Sequence, residues 1–356
     1  MDAVIIAGGL GTRLRPLTQH RPKHLLPVGG VPFVEHQISK LAAAGFERVV
    51  LATSYRAEAF EPVLGDGSRW SVRLTYVTED EPLGTAGAIR NAAEHLDARG
   101  DDPVVVLNGD VLSGHDLAAQ VAFHRGHHAD ATLHLVTVDD ARAYGCVPTD
   151  RDGLVLAFLE KSPDPVSRQV NAGCYVLNAA VIDDIPVGRA VSVERETFPA
   201  LVTAGRRVLG FLDPSYWLDL GTPEALVRGS SDLVRGIARS PAYRHPPAEA
   251  RLDPASTVEP GAFVRGGSSV GPGAVVHAGA VVEGTVVCGG AVVAAGARVV
   301  DSVLGPGSVV GPGATVSDSV LGDDAGLGAG CELRAGVRVW GGVQIPDGAI
   351  RFSPDV

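Results

Sequence analysis

The chain has 356 residues, 45% hydrophobic and 20% charged; at roughly 100–200 residues per domain it holds about two domains, each able to bury a core. Its formal net charge of −11 excludes binding nucleic acid or anionic lipid over a broad surface, which needs clustered Lys and Arg, but leaves room for a phosphate pocket with a few local cations. Single cysteines at 146, 174, 288 and 331, an apolar run directly after Met1-Asp2 and the lack of a bilayer-length apolar run predict a cytoplasmic protein with reduced thiols and no membrane or nucleic-acid partner.

Ala3–Ala7 is a continuous apolar run, the pattern of a strand buried on both faces. Pro32 opens a helical pattern in which Phe33, Val34, Ile38 and Leu41 share a face, ending at Gly45. Val49–Ala52 and Val72–Val77 read as strands, Thr85–Leu96 as a helix, and Val104–Leu107 as a fourth strand running into Asn108-Gly109-Asp110. Asp116–Arg125 reads as a helix, Thr132–Val138 as a strand and Leu154–Leu159 as another. The alternation predicts a Rossmann-like α/β domain with a mainly parallel sheet, whose ligands sit at the carboxyl ends of the strands.

The alternation stops near residue 235, and Ser240–Pro254, rich in Pro, Ala, Arg and His, reads as a linker. Much of the unusual glycine content (45 Gly, with 24 Pro) lies after residue 260. There Val258, Val264, Val270, Val276, Val282 and Cys288 recur every six residues. Leu304, Val310 and Val316 form a second run, and Leu321, Leu327, Leu333, Val339 and Ile345 a third, with phase breaks after Val300 and Val316. A hexapeptide period predicts a parallel β-helix, because each repeat is too short to bury its apolar face alone. The expected division is a catalytic domain over 1–236, a linker over 237–254 and a β-helix over 255–356.

Four places carry chemistry. Gly8-Gly9-Leu10-Gly11-Thr12-Arg13 follows the first strand, with Lys23 ten residues beyond Arg13. Glycines let backbone N–H groups approach phosphate oxygens, and Arg13 and Lys23 add charge-assisted bonds. A bare Gly-Gly-x-Gly would be a structural turn; the two cations turn the reading toward phosphate. The string lacks the GK[ST] of a Walker loop and the GxGxxG of a dinucleotide site. Asp110 at a strand's carboxyl end suits Mg2+, although Asn-Gly alone also signals a turn. In Trp217-Leu218-Asp219-Leu220-Gly221-Thr222-Pro223, Asp219 is a second metal ligand or a cap, and Thr222-Pro223 starts a helix. Glu160-Lys161 offers hydroxyl and phosphate recognition or an exposed ion pair, and Tyr144-Gly145 and Asn171-Ala172-Gly173 line a polar pocket or form turns. His127, His128 and His277 read as surface residues.

These motifs, in this order and over the whole chain, resemble the sugar-1-phosphate nucleotidyltransferases with a carboxyl-terminal left-handed β-helix. Glu81-Pro82-Leu83-Gly84-Thr85-Ala86-Gly87 looks like the guanylyltransferase branch. Gly145–Asp150, Ser192–Glu196 and Pro346-Asp347-Gly348 look similar to stretches of actinobacterial mannose-1-phosphate guanylyltransferases. The resemblance implies GTP and mannose 1-phosphate as substrates, GDP-mannose and diphosphate as products, and Mg2+ as cofactor. It implies that Gly8, Gly9, Gly11 and Thr12 cradle the nucleotide, with Gly84, Thr85 and Gly87 by the base. Arg13 and Lys23 would hold the β- and γ-phosphates, and Asp110 and Asp219 the metal. Lys161 would hold the sugar phosphate, and Tyr144, Gly145, Glu160, Asn171 and Gly173 the hexose. His24 departs from the Pro or Gln common after the lysine, which leaves base choice open. Another sugar or cyclitol phosphate, another NTP, a silent regulatory subunit and a hexapeptide acyltransferase are the competing readings. Flat Val-rich β-helix faces predict a homo-oligomer.

Overall fold

The computed structural model describes residues 1–79, 81–160 and 163–351, with no account of the Glu160 side chain. The chain forms two compact units, Met1–Gly9 with Gln37–Trp217 and Leu10–His36 with Leu218–Val356. In chain order the elements are β1 (Asp2–Ala7), β2 (Pro27–Val28), β3 (Val31–Pro32), α1 (Phe33–Ala43), β4 (Arg48–Thr53), α2 (Glu61–Leu64) and β5 (Arg73–Thr78). Next come α3 (Gly84–Ala92), β6 (Pro103–Asn108), β7 (Val111–Ser113), α4 (Leu117–Gly126), β8 (Ala131–Thr137), β9 (Gly145–Cys146), β10 (Leu159–Glu160) and β11 (Gln169–Asn178). Then follow α5 (Ala179–Asp183), α6 (Phe198–Thr203), β12 (Val208–Leu212), β13 (Trp217–Asp219) and α7 (Pro223–Val234). No described helix is long and apolar enough to cross a membrane.

The first unit is built on a nine-stranded sheet in the order β10-β9-β11-β6-β1-β4-β5, with β8 paired to β11 and β12 to β8. The apolar run of β1 is fully inside: Ala3, Val4 and Ile5 are 0% exposed. It pairs in parallel with β4 and β6, so the carboxyl ends of these strands emerge on one edge. The mainly parallel expectation holds for β6-β1-β4-β5; β11 runs antiparallel to β6 and β8 and makes the sheet mixed. Leu154–Leu159 is not the expected strand. Leu154 and Val155 make only isolated bridges, and Leu159-Glu160 alone pairs with Gly145-Cys146.

The second unit is a parallel β-helix with α7 and the segment Leu10–His36. Ala250–Leu252, inside the stretch read as linker, is already a strand paired in parallel with Ser268–Val270. Three ladders of six, six and five strands form the coils, matching the expected left-handed β-helix. Inward Val270, Val276, Val282, Leu304, Val310, Val316, Leu321 and Leu333 are 0% exposed. One position differs: Val287, not Cys288, continues the column below Val270. The step from Val282 to Val287 drops a residue, as do those from Val299 to Leu304 and from Val316 to Leu321. The shortened corners hold Gly284, Asp301 and Asp318 in left-handed backbone, φ 54°, 46° and 45°. A buried hydroxyl column stabilises the same corner. Thr285 N donates to Ser268 Oγ (3.0 Å), Ser302 N to Thr285 Oγ1 (3.4 Å) and Ser319 N to Ser302 Oγ (3.2 Å).

α7 ties the unit together. Ser230 Oγ accepts from Gly29 N of the β2–β3 turn (3.0 Å) and lies 3.3 Å from Ser269 Oγ, while Ser231 Oγ donates to Gly266 O (2.8 Å).

Candidate active site

The second unit carries Gly11, Thr12, Arg13, Lys23 and Asp219. Gly11 is left-handed (φ 58°), and Thr18 Oγ1 donates to its carbonyl at 2.8 Å. A Cβ at Gly11 would lie 3.0 Å from Lys23 Cβ, so the glycine lets the lysine stem pack against the loop. Thr12–Leu14 and Lys23–Leu25 are single 3-10 turns, and His24 is buried. The Arg13 side chain is 66% exposed, and its Nη2 stands 3.9 Å from Asp219 Oδ1. Asp219 also accepts from Gly221 N at 2.7 Å. A side chain at Gly221 would collide with the Arg13 guanidinium and with Asp219, which accounts for the glycine in the motif. Pro223 opens α7, the helix start expected from the sequence, and the cap is Thr222, whose Oγ1 accepts from Ala225 N at 3.3 Å, not Asp219.

The first unit carries the remaining described site residues. Gly9 leaves β1 at φ 97°, its N–H 3.4 Å from Ser54 Oγ. Gly109 N donates to Ile6 O (2.9 Å), so Asn108-Gly109-Asp110 turns away beside the end of β1. Asp110 is partly buried. The strand after it is anchored from α1: Gln37 Nε2 donates to Val111 O, and Lys40 Nζ to Ser113 O (3.0 Å) and Ser113 Oγ (2.9 Å). Lys40 Nζ also meets His115 Nδ1 at 2.8 Å, and His115 stacks on His134 at 3.8 Å. Burial lowers Lys40 to about 8 and His134 to about 3. The sequence reading passed over Gln37 and Lys40. Their signal was there: two polar residues three apart on a helix whose large apolar residues, Phe33, Val34, Ile38 and Leu41, are all buried.

Asn171-Ala172-Gly173 lies within β11, at a register shift against β8, rather than in a turn. Asn171 Nδ2 donates to Tyr175 OH (2.9 Å), Gly173 N to Asn171 Oδ1 (3.1 Å) and Trp217 Nε1 to Ala172 O (3.0 Å). Tyr144 packs edge-on against Trp217 at 5.3 Å, and Gly145 is buried in β9 opposite Glu160. This brings Tyr144, Asn171 and Gly173 to one region around Trp217. Lys161 lies outside the described residues.

Gly84, Thr85 and Gly87 are engaged with the segment 189–194. Thr85 Oγ1 donates to Glu194 Oε2 and accepts from Val193 N, both at 2.8 Å. A Cβ would lie 2.6 Å from Val191 O at Gly84, and 2.7 Å from Leu83 Cβ at buried Gly87. Packing against the chain's own backbone therefore accounts for both glycines. His127 and His277 are surface residues as expected, His277 Nδ1 lying 3.0 Å from Glu259 Oε1 at a coil edge. All four cysteines are buried and free, with burial pushing Cys174 and Cys288 up to about 12. Among the described residues no group of three or more His, Cys, Asp or Glu gathers as a metal cage.

Residues 2–236 match the nucleotidyl transferase family, and residues 248–343 the GMPPB C-terminal domain. A mannose-1-phosphate guanylyltransferase of Mycobacterium tuberculosis is 57% identical over 245 residues, covering 68% of this chain and 67% of that protein. A mannose-1-phosphate guanyltransferase of Candida albicans is 39% identical over 249 residues, covering 69% and 67%. Among solved structures, HddC of Yersinia pseudotuberculosis complexed with GMP-PN superposes with a TM-score of 0.56 at 29% identity, over 65% of this chain and 98% of that one.

Proposed function

We propose, on the premise that this chain belongs to the nucleotidyl transferase family, that it converts GTP and α-D-mannose 1-phosphate to GDP-mannose and diphosphate. The observation that carries the substrate pair is the 57% identity to a relative named for that activity. Arg13 beside Asp219 over Gly221 supports the phosphate chemistry: an exposed guanidinium held next to a carboxylate by a glycine that admits it.

In this reading the sugar phosphate oxygen is already anionic near neutral pH and attacks the α-phosphorus in line, so no strong base is needed. Catalysis is then positioning and charge neutralisation. The N–H groups of Gly8, Gly9, Gly11 and Thr12 receive phosphate oxygens. Arg13 and Lys23 hold the β- and γ-phosphates, which leave as diphosphate. Lys161 and Glu160 are assigned to the sugar phosphate and hexose, with Tyr144, Gly145, Asn171 and Gly173 around the ring. Gly84, Thr85 and Gly87 order the segment 189–194 near the base. The buried cysteines leave no thiolate to form a covalent intermediate.

The family works with a divalent cation, and we assign it as Mg2+ held by Asp110 and Asp219. Two carboxylates with no thiol or imidazole among them fit a hard cation that keeps several waters and completes its shell with substrate phosphates. When bound it would supply charge neutralisation on the triphosphate. We also assign a homo-oligomer through the outward ladder of Val275, Val292 and Val309, stacked in register, of which Val309 is 42% exposed.

The test is diphosphate release with Mg2+, crossing four NTPs with mannose 1-phosphate and glucose 1-phosphate. Release with GTP and mannose 1-phosphate alone supports the proposal. Release with another pair overturns the specificity only.

A further inference from the structure

The loop that carries Arg13 is fastened to the far coils of the β-helix. Arg338, in the strand Arg338–Val339, donates from Nη1 to two backbone carbonyls, Arg13 O at 2.7 Å and Arg15 O at 3.0 Å. Further along the loop Arg21 makes a two-point pair with Asp323, Nη1 to Oδ1 at 3.1 Å and Nη2 to Oδ2 at 2.5 Å. These side chains are shielded, 26% and 19% exposed. Between the two attachments Pro16 lies against the coil, where a Cβ at Gly322 would come within 3.1 Å of its ring. All of these residues belong to the second unit.

None of them has a part in the chemistry above, yet they grip the loop at its reactive residue. The acceptor of the shorter Arg338 bond is the carbonyl of Arg13 itself, so a shift of Arg338 moves the Arg13 backbone directly. One guanidinium nitrogen bridging carbonyls two residues apart also fixes the direction of the turn, which a lysine's single point charge would do less well. The Arg21–Asp323 pair is the second anchor, and its two parallel bonds resist rotation.

We infer that Arg338 and the Arg21–Asp323 pair are positioning residues for the nucleotide triphosphate: the last coils of the β-helix set where the Arg13 guanidinium stands. This rests on the assignment of the Arg13 loop to the GTP phosphates. The β-helix is thereby part of the transfer machinery through the loop it holds.

The experiment uses the full chain and its R338A, R338K, D323A and R21D/D323R variants, with R13A as reference. Transfer is measured as a function of GTP and of mannose 1-phosphate, the reverse reaction as a function of diphosphate, and Tm is taken in parallel. R338A is expected to lower kcat/KM for GTP, and for diphosphate in reverse, by about tenfold, the scale of lost charge-assisted bonds. KM for mannose 1-phosphate should stay within about twofold, because the loop's placement and not the whole fold is disturbed. R338K should recover part of the loss, and R21D/D323R should exceed D323A. Unchanged GTP kinetics in R338A and D323A, or equal losses toward both substrates with a lowered Tm, overturns the inference. Should R338A fail to fold, R338K and D323A decide by the same split. Failure of the underlying reading looks different: R13A would then turn over like the unaltered chain.

Discussion

Gly221 is where it is because of Arg13. Its N–H bonds Asp219 Oδ1 at 2.7 Å, and the space its missing Cβ leaves is filled by the Arg13 guanidinium and the Asp219 carboxylate. Gly221→Ala should therefore displace Arg13. The obstructing atoms are side-chain ends and no backbone, the exposed Arg13 guanidinium and the partly exposed Asp219 carboxylate, so the fold should tolerate the change while both groups move off their marks. Transfer is expected to fall roughly 10–100-fold, the scale of an ångström-sized misplacement, with GTP affected more than mannose 1-phosphate. Steady-state kinetics alongside a melting curve check this; a low Tm with unaltered turnover per folded molecule would contradict it.

Asp110 follows β6 and precedes a strand held by Gln37 and Lys40 at Val111 and Ser113. The backbone on either side of it is held by groups other than Asp110, by Gly109 N donating to Ile6 O on one side and by Gln37 and Lys40 on the other. Asp110→Asn and Asp110→Ala should abolish transfer, by about 1,000-fold or more for a lost metal ligand at the reacting phosphates, while thermal unfolding stays close to that of the unaltered chain. Turnover retained in either variant would remove Asp110 from the metal.

The strands of the α/β region were legible because buried parallel strands are continuous apolar runs, as in β1, β4 and β6, and need no tertiary information to recognise. Leu154–Leu159 shows the limit: its composition suits a strand, but Leu154 and Leu156 are exposed and only Leu159-Glu160 finds a ladder partner, in β9. In the β-helix the six-residue period was plain, but its first slip was hidden. Cys288 is apolar and buried, so it kept the count of six alive one residue past Val287, where the ladder turns. The site motifs were legible as strings. The grip of Arg338 on Arg13 was not, because two residues 325 positions apart leave no local pattern.

At the shortened corner Asp301 stands in left-handed backbone (φ 46°) between Glu283 and Asp318 of the neighbouring coils. Burial raises its carboxyl above the usual range, and the two carboxylates add to that. A raised folded pKa means that the ionised form is disfavoured in the folded state, so Asp301 weakens the fold above its pKa and ceases to do so as pH falls through it. Asp301→Asn keeps a side chain that tolerates this backbone and removes the charge. Its Tm at pH 7.5 is expected to rise by about half a degree, the equivalent of a few tenths of a kcal/mol in a chain of this size. The gain should vanish when both proteins are melted near pH 4, and a gain that persists there would point to backbone conformation instead of charge.

His36 should make the second unit sensitive to mild acid. It is fully enclosed, its Nε2–H donating to Val28 O at 3.1 Å and its Nδ1 facing Ser240 Oγ at 2.7 Å. Those partners suit the neutral ring: Val28 O accepts one proton, and Nδ1 accepts from the Ser240 hydroxyl. Burial lowers its pKa to about 4 against the Val28 bond, which pulls the other way. Between about pH 6.5 and 4 the unfolded chain then binds a proton that the folded chain refuses, so stability falls as pH drops through this window. From pH 7.5 to pH 5 the loss from this one ring is about 2 kcal/mol. His36→Gln retains a donor and an acceptor without titrating, and its urea midpoint should move less than that of the unaltered chain over the same interval. Equal movement in the two proteins would show that His36 protonates as easily folded as unfolded, and the buried neutral ring would have to be given up.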